Sequence, residues 1–259
     1  MAISSKRLKY VPGTYAQKRP DVAQLAGQYF REWEKKRLEM KVSKSAPEQI
    51  PPTICFSRKI GVGTLEIADL LSKKIGYPVI DRQLLDHVAR NKRLSQKTVA
   101  FFDERYAGKI SEFARLLFGE KAFVMSDYMR SVISTVFTFA DMGGTIFVGR
   151  GIHLILPRDR VLAVRIICSD EYRINRLAEI LDLEKKEIQK LLSQIDQEQR
   201  SFFKKAYGKK DASPYEFDIV INANFITRPQ MAADIVAEAF NQKFATELSR
   251  MPAEEMNAA

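Results

Sequence analysis

Cysteine is scarce in this chain. Cys55 and Cys168 are the only two, and both fall in apolar runs that read as strands. Buried free thiols are therefore expected, and a disulfide framework is not. Histidine is equally rare: His87 and His153 have no cysteine or carboxylate company at metal-ligand spacing, so packing is their default role. No serine sits in a nucleophile-elbow pattern and no Cys/His pair is suggested, which leaves hydrolysis through a covalent intermediate without support. No early apolar run resembles a signal peptide, and none reaches the length of a membrane span. The chain is accordingly expected to be cytoplasmic, with no membrane partner. Internal repeats and low-complexity tracts are also missing.

What is present is a globular composition: 46% apolar and 29% charged residues over 259 positions, enough for one large domain or two modest ones. The net charge of +10 is unevenly placed, because residues 1–50 hold eleven Lys/Arg against five Asp/Glu. That surplus could serve nucleic acid, an acidic partner or solubility. Pro12-Gly13 marks a turn in an irregular start. From Asp21 a helix is signalled, with Val22, Leu25, Ala26, Tyr29, Phe30, Trp33 and Met40 on one stripe. The aromatic stripe is expected to dock on the main domain, with a partner-binding helix as the alternative. Residues 43–52, with Pro47 and Pro51-Pro52, read as a linker.

The chain is organised around Thr53–Ile67. A short apolar strand leads into Ser57-Arg58-Lys59-Ile60-Gly61-Val62-Gly63-Thr64 and then an amphipathic helix. Strand, glycine turn and helix can form a phosphate cradle, since backbone N–H groups curl inward and the helix start adds partial positive charge. The same layout also serves ordinary βα turns. The full Gly-x-x-x-x-Gly-Lys-[Ser/Thr] pattern is missing, because Thr64-Leu65 stands where a lysine would follow.

Further on, strands are expected at 77–80, 145–148, 161–168 and 217–222. Helices are expected at 65–74, 82–90, 184–193, 194–207 and 228–246, with residues 95–140 mostly helical, including 113–118. Five short strands separated by helices predict an α/β fold with a doubly wound, five-stranded parallel sheet. In such sheets ligands bind beyond the carboxyl ends of strands. Four polar signals fall there: the glycine turn, Asp81, Arg150 and Ser169-Asp170.

Several motifs in order carry a family likeness. They are Ser57-Arg58-x-x-Gly61-x-Gly63, Asp81-Arg82, Phe147-Val148-Gly149-Arg150-Gly151, Glu171-x-Arg173-x-x-Arg176, Asp196-x-x-x-Arg200 and Tyr215-x-x-Asp218-x-x-Ile221-Asn222. Over about residues 53–240 the chain resembles the cytidylate kinase-like family of P-loop nucleoside monophosphate kinases. The resemblance implies transfer of the γ-phosphoryl group of ATP to a nucleoside monophosphate with magnesium. By the same resemblance the acceptor is CMP or dCMP. It also implies a kinase-like domain over 53–246, with acceptor-side helices at about 82–140 and a lid at about 194–214. A basic extension, 1–52, would precede it and a tail, 247–259, would follow.

Phosphoryl transfer needs in-line positioning and positive charge more than covalent help. Ser57 and the backbone of Gly61, Val62, Gly63 and Thr64 are the candidates for the nucleotide phosphates, with the Thr64 hydroxyl the candidate for magnesium. Arg58 and Lys59 flank the loop and either substitute for the missing lysine or form a solvated face. Asp81 fits an acceptor-site carboxylate or a helix N-cap. Arg150 fits a phosphate fork or a structural ion pair. Asp196 and Arg200, four apart, can pair with each other; by resemblance Arg200, with Lys204 and Lys205, belongs to the lid. Arg173 and Arg176 suit lid or phosphate contacts, and helix-surface salt bridges explain them as well. The leading expectation is a nucleoside monophosphate kinase. The alternative is a nucleotide-binding regulatory module that kept the fold and lost turnover with the loop cation. A nucleic-acid contact through the basic helix ranks last, and oligomeric state is unreadable.

Overall fold

The computed structural model describes residues 21–43, 50–106 and 126–249. The Pro12-Gly13 turn, most of the linker, the segment 113–118 and the tail from 250, like the Met40 side chain, lie outside the described residues. Helix α1 (Val22–Ser43) begins where Asp21 accepts hydrogen bonds from the N–H groups of Ala23 and Gln24. Its stripe docks as expected. Phe30 packs edge-on against Phe139, and Trp33 against Phe101 at 5.3 Å between ring centroids. Burying each such aromatic stabilises by roughly 1.5–3 kcal/mol.

The sheet has five parallel strands in the order β2-β3-β1-β4-β5: β1 (Thr53–Arg58), β2 (Val79–Asp81), β3 (Ile146–Val148), β4 (Val161–Ile167) and β5 (Ile219–Asn222). β1 and β4 are near-continuous apolar runs because both faces are covered. Ile54 and Phe56 meet one layer, α2 (Thr64–Ile75) and α8 (Pro229–Lys243). Cys55 points into the other, with α1, α3 (Arg82–Arg90), α4 (Lys92–Arg105) and α5 (Asp127–Asp141). Both cysteines are free, Cys55 buried and Cys168 partly so. A third, smaller apolar cluster joins Leu177 of α6 (Asp170–Leu181) to Ile188, Leu192 and Ile195 of α7 (Lys185–Tyr207), with Ile60 of the glycine turn at its edge. This cluster ties the turn to two helices distant in sequence. A short helix, α9 (Ala245–Leu248), ends the described chain.

Some boundaries differ from the sequence reading. Residues 185–207 form one helix, not two: the stretch has no Gly or Pro, and the Ser193 hydroxyl back-bonds to the Gln189 carbonyl without breaking it. β1 runs on to Arg58, because β4 pairs with it that far. β2 starts only at Val79; Pro78 has no N–H to offer, although its carbonyl accepts from Ile146. α8 stops at Lys243.

Candidate phosphate-binding site

β1 delivers the chain to the carboxyl edge of the sheet, where the turn climbs into α2. Gly61 (φ 90°) and Gly63 (φ 88°) are both left-handed, a conformation that favours glycine. Space for a side chain is tight there as well. A Cβ on Gly61 would lie 2.8 Å from Leu177 Cδ1, and one on Gly63 would lie 3.2 Å from the Arg176 guanidinium. Gly63 caps α2 without a side-chain bond. The next residue, Thr64, is 2% exposed, and its hydroxyl has no hydrogen-bond partner among the described residues. A buried orphan hydroxyl at a helix start is suited to an ion or phosphate oxygen. Magnesium commonly takes one or two protein oxygens and completes its shell with phosphates and water, so Thr64 fits such an ion. No group of three or more His, Cys, Asp or Glu among the described residues could hold a metal by itself. On the next turns of α2, Asp69 has its carboxyl pushed up to about 7, first by burial and then by the Asp81 charge.

Arg173 is the anchor beneath the turn. It is 2% exposed, so it is no surface salt bridge. Its guanidinium forks onto Asp196 at 2.9 and 2.8 Å, donates to Asp170 at 2.5 Å and donates to the Ile60 carbonyl at 3.2 Å. Burial opposes its charge, but the bonds to Asp196 and Asp170 prevail and raise its pKa. Asp196 is therefore Arg173's partner, where the sequence spacing suggested Arg200. The bidentate fork and the burial outweigh an exposed i,i+4 pair. Arg176, one turn on, lies over Gly63 and donates to Glu66 at 3.0 Å. Lys59 Nζ lies 3.6 Å from Asp170. Arg200 and Lys204 stand exposed on α7, whereas Gln199 of that helix reaches the turn and donates to the Arg58 carbonyl.

On the other side, Asp81 accepts from the Leu84 N–H at 2.9 Å and so caps α3. The turn after β3 puts Gly149, Arg150 and Gly151 at φ 97°, 56° and 69°, with Arg150 an uncommon left-handed non-glycine. This backbone lets the Arg58 guanidinium come within 3.4 Å of where a Gly149 Cβ would be. Arg150 stacks on Phe202 at 4.2 Å and forks onto Asp86 through Nε and Nη2. Asp86 also accepts from the Tyr128 hydroxyl at 2.6 Å and lies 3.5 Å from Arg82. Ser57, Arg58, Arg82, Arg150, Gln199 and Phe202 line the cleft between these elements. It holds about 40 Å³, far below the roughly 300 Å³ at which ligand pockets begin.

Behind Ser57, the Arg165 guanidinium, 8% exposed, donates to the Ser57 hydroxyl at 2.6 Å and reaches Asp211 at 3.6 Å. His153 is buried against Phe217 with Glu216 at 3.4 Å; burial depresses its pKa to about 4.

A model of the cytidylate kinase-like family matches residues 53–224. The chain belongs to this family. A crystal structure of an uncharacterized protein from Eubacterium ventriosum is similar to it, with a TM-score of 0.57 and 17% identity over 74% of this chain and 98% of that one. Shikimate kinase from Bacteroides thetaiotaomicron aligns at 15% identity over 75% of this chain and 98% of its own, with a TM-score of 0.36. Shikimate kinase from Acinetobacter baumannii, in complex with shikimate, aligns at 16% identity over 78% and 97%, with a TM-score of 0.35. At 17% identity the Eubacterium ventriosum structure speaks to fold alone. No curated protein matches the chain. The fold is α/β, a five-stranded parallel sheet of order 2-3-1-4-5 with a helix added before it.

In this cytidylate kinase-like chain, sequence reasoning passed over Asp86, Gln199, Glu66 and Arg165. Two of them left a trace. Arg165 interrupts an otherwise apolar strand, and a charge there must find partners. Asp86 falls four residues after Arg82 on one helix face. Gln199 and Glu66 carry no such signal, because their partners come from distant segments.

Proposed function

We propose that the chain is a phosphotransferase that moves the γ-phosphoryl group of ATP to a nucleoside monophosphate. The observation that carries this reading is the left-handed glycine turn at the start of α2, with the buried, unpartnered Thr64 hydroxyl at its mouth. Family membership supports it, and CMP or dCMP as acceptor rests on the family likeness. In the reaction an oxygen of the acceptor phosphate bonds to the γ-phosphorus. The bond from that phosphorus to the bridging oxygen breaks, its electron pair stays on that oxygen, and ADP leaves. The attacking oxygen is already an anion, so no general base is required.

What the protein supplies is position and charge. Backbone N–H groups of 61–64 hold the donor phosphates, with Ser57 and Lys59 beside them. Arg173 keeps the turn in place through the Ile60 carbonyl. The Thr64 hydroxyl would hold a magnesium ion, which when bound would supply charge neutralisation for the transferred phosphoryl group. Arg58, Arg82 and Arg150 take the acceptor phosphate, while Asp81 orients the acceptor near β2. The cleft must widen to admit a nucleotide, so α7 with Phe202, Arg200 and Lys204 acts as the lid.

Two observations favour the rival, a nucleotide-binding module without turnover: Arg150 is already engaged by Asp86 and Phe202, and no lysine follows Gly63. The nucleic-acid reading gains nothing from α1, whose Lys36 donates to the Met142 carbonyl and whose Arg37 pairs with Glu104. A coupled assay of ADP formation with ATP, magnesium and a panel of monophosphates separates the first two. Acceptor-dependent ADP formation supports the kinase. Tight ATP binding with no acceptor-dependent ADP formation supports the module.

A further inference from the structure

The glycine turn needs a cation that its own first helical turn cannot give. Thr64 is neutral, and both Thr64 and Leu65 are buried, at 2% and 6% exposure, Leu65 in the same apolar cluster as Ile67 and Leu71. A lysine following the last glycine ordinarily reaches the β- and γ-phosphates. Of the nearby cations, Arg58 turns away to Gly149 on the acceptor side, and Arg173 is consumed by Asp196, Asp170 and the Ile60 carbonyl. Lys59 leans toward Asp170, with its side chain 45% exposed. Arg176 is different. Its guanidinium lies against Gly63, where a Cβ would meet Cζ, Nε and Nη2 at 3.2 Å each.

We propose that Arg176, delivered from α6, is the phosphate-loop cation of this chain, and that Glu66 is its positioning residue. This rests on the nucleotide-binding reading above and assigns the charge that reading lacks. The contact with Glu66, in the first turn of α2, engages a single guanidinium nitrogen, Nη2 at 3.0 Å. A guanidinium carries further N–H donors in a planar fork that matches phosphate oxygens. The Arg176 side chain is 19% exposed, so its charge is weakly screened and still reachable from solvent. Gly63 serves two ends at once: its left-handed backbone starts the helix, and its missing side chain leaves room for the guanidinium. The Thr64 hydroxyl, buried and unpartnered beside it, is the independent sign that this helix start faces a ligand.

The test is a titration of the full chain with ATP, ADP and AMP, without acceptor, read by calorimetry. Wild type should bind ATP and ADP more tightly than AMP. Arg176→Met, which keeps the aliphatic stem, should weaken ATP and ADP by about tenfold or more, about 1.4 kcal/mol, and leave AMP unchanged. Arg176→Lys should retain most of the preference for ATP over AMP. Arg176→Gln serves in place of the Met variant if circular dichroism shows that chain unfolded. ATP affinity equal to wild type in the folded neutral variant overturns the assignment alone. Wild type that binds no ATP overturns the nucleotide reading and this inference with it.

Discussion

Arg173 gives the sharpest test of how the glycine turn is held. Replacing it with Met removes a guanidinium that is 2% exposed and leaves Asp196, whose side chain is 15% exposed, as an uncompensated carboxylate. The Ile60 carbonyl loses its donor at the same time. Breaking one side of a buried pair costs about 3–5 kcal/mol. Asp170 is largely exposed and adds little to that penalty, so the lower end, about 3 kcal/mol, applies. In a domain of this size that lowers Tm by about 6–12 °C. Asp196→Leu alone should cost less, about 2 kcal/mol, because Arg173 keeps Asp170 and the Ile60 carbonyl. The double variant, with no charge left unpaired, should recover at least about 1.5 kcal/mol relative to the sum of the single changes. Urea unfolding of the four proteins measures each term. Additive losses, or a loss below about 1 kcal/mol for Arg173→Met, would refute the anchor. Asp196→Leu with Arg200→Met should be additive, since Arg200 is not the partner.

Two further outcomes follow from burial. Leu65→Lys looks from the sequence like a repair of the phosphate loop, but Leu65 packs in the α2 core; the change should lower stability by about 2–3 kcal/mol in thermal melts and restore no rate. His153 titrates normally near 6.5 when unfolded and near 4 when folded, because burial disfavours its charge. The unfolded chain therefore takes up the proton first, and stability attributable to His153 falls as pH drops from about 6.5 to 4, by at most about 3 kcal/mol. Asp69 works in the opposite sense over pH 4 to 7, since its raised pKa makes the folded chain hold the proton longer as pH rises. Denaturant titrations should show His153→Gln less acid-sensitive than wild type; an unchanged pH slope would remove the assignment.

The fold was legible because its signals are local. Val161–Ile167 is apolar apart from Arg165, Gly63 and Thr64 mark the start of α2, Asp81 and Ser169 cap α3 and α6, and the α1 stripe repeats at helical spacing. Each depends on neighbours within a few residues. The expected sites lay at the carboxyl ends of the strands for the same reason, and the structure does gather Ser57, Arg58, Thr64, Asp81, Arg150, Arg173 and Arg176 along that edge. What spacing could not give was who pairs with whom. Asp196 lies 23 residues from Arg173, Asp86 lies 64 from Arg150, and Arg165 lies 108 from Ser57. Those pairs are chosen by strand order and helix packing, and an i,i+4 rule therefore favoured the wrong arginine for Asp196.

Phosphoryl transfer by this chain is read directly by following label from [γ-³²P]ATP in the presence of magnesium and separate nucleoside monophosphates. Labelled nucleoside diphosphate should form from CMP or dCMP with the intact chain, and its formation should be lost when Arg58 and Arg150 are both replaced by Met. Label that stays on ATP with every monophosphate, while ATP binds tightly, would contradict it.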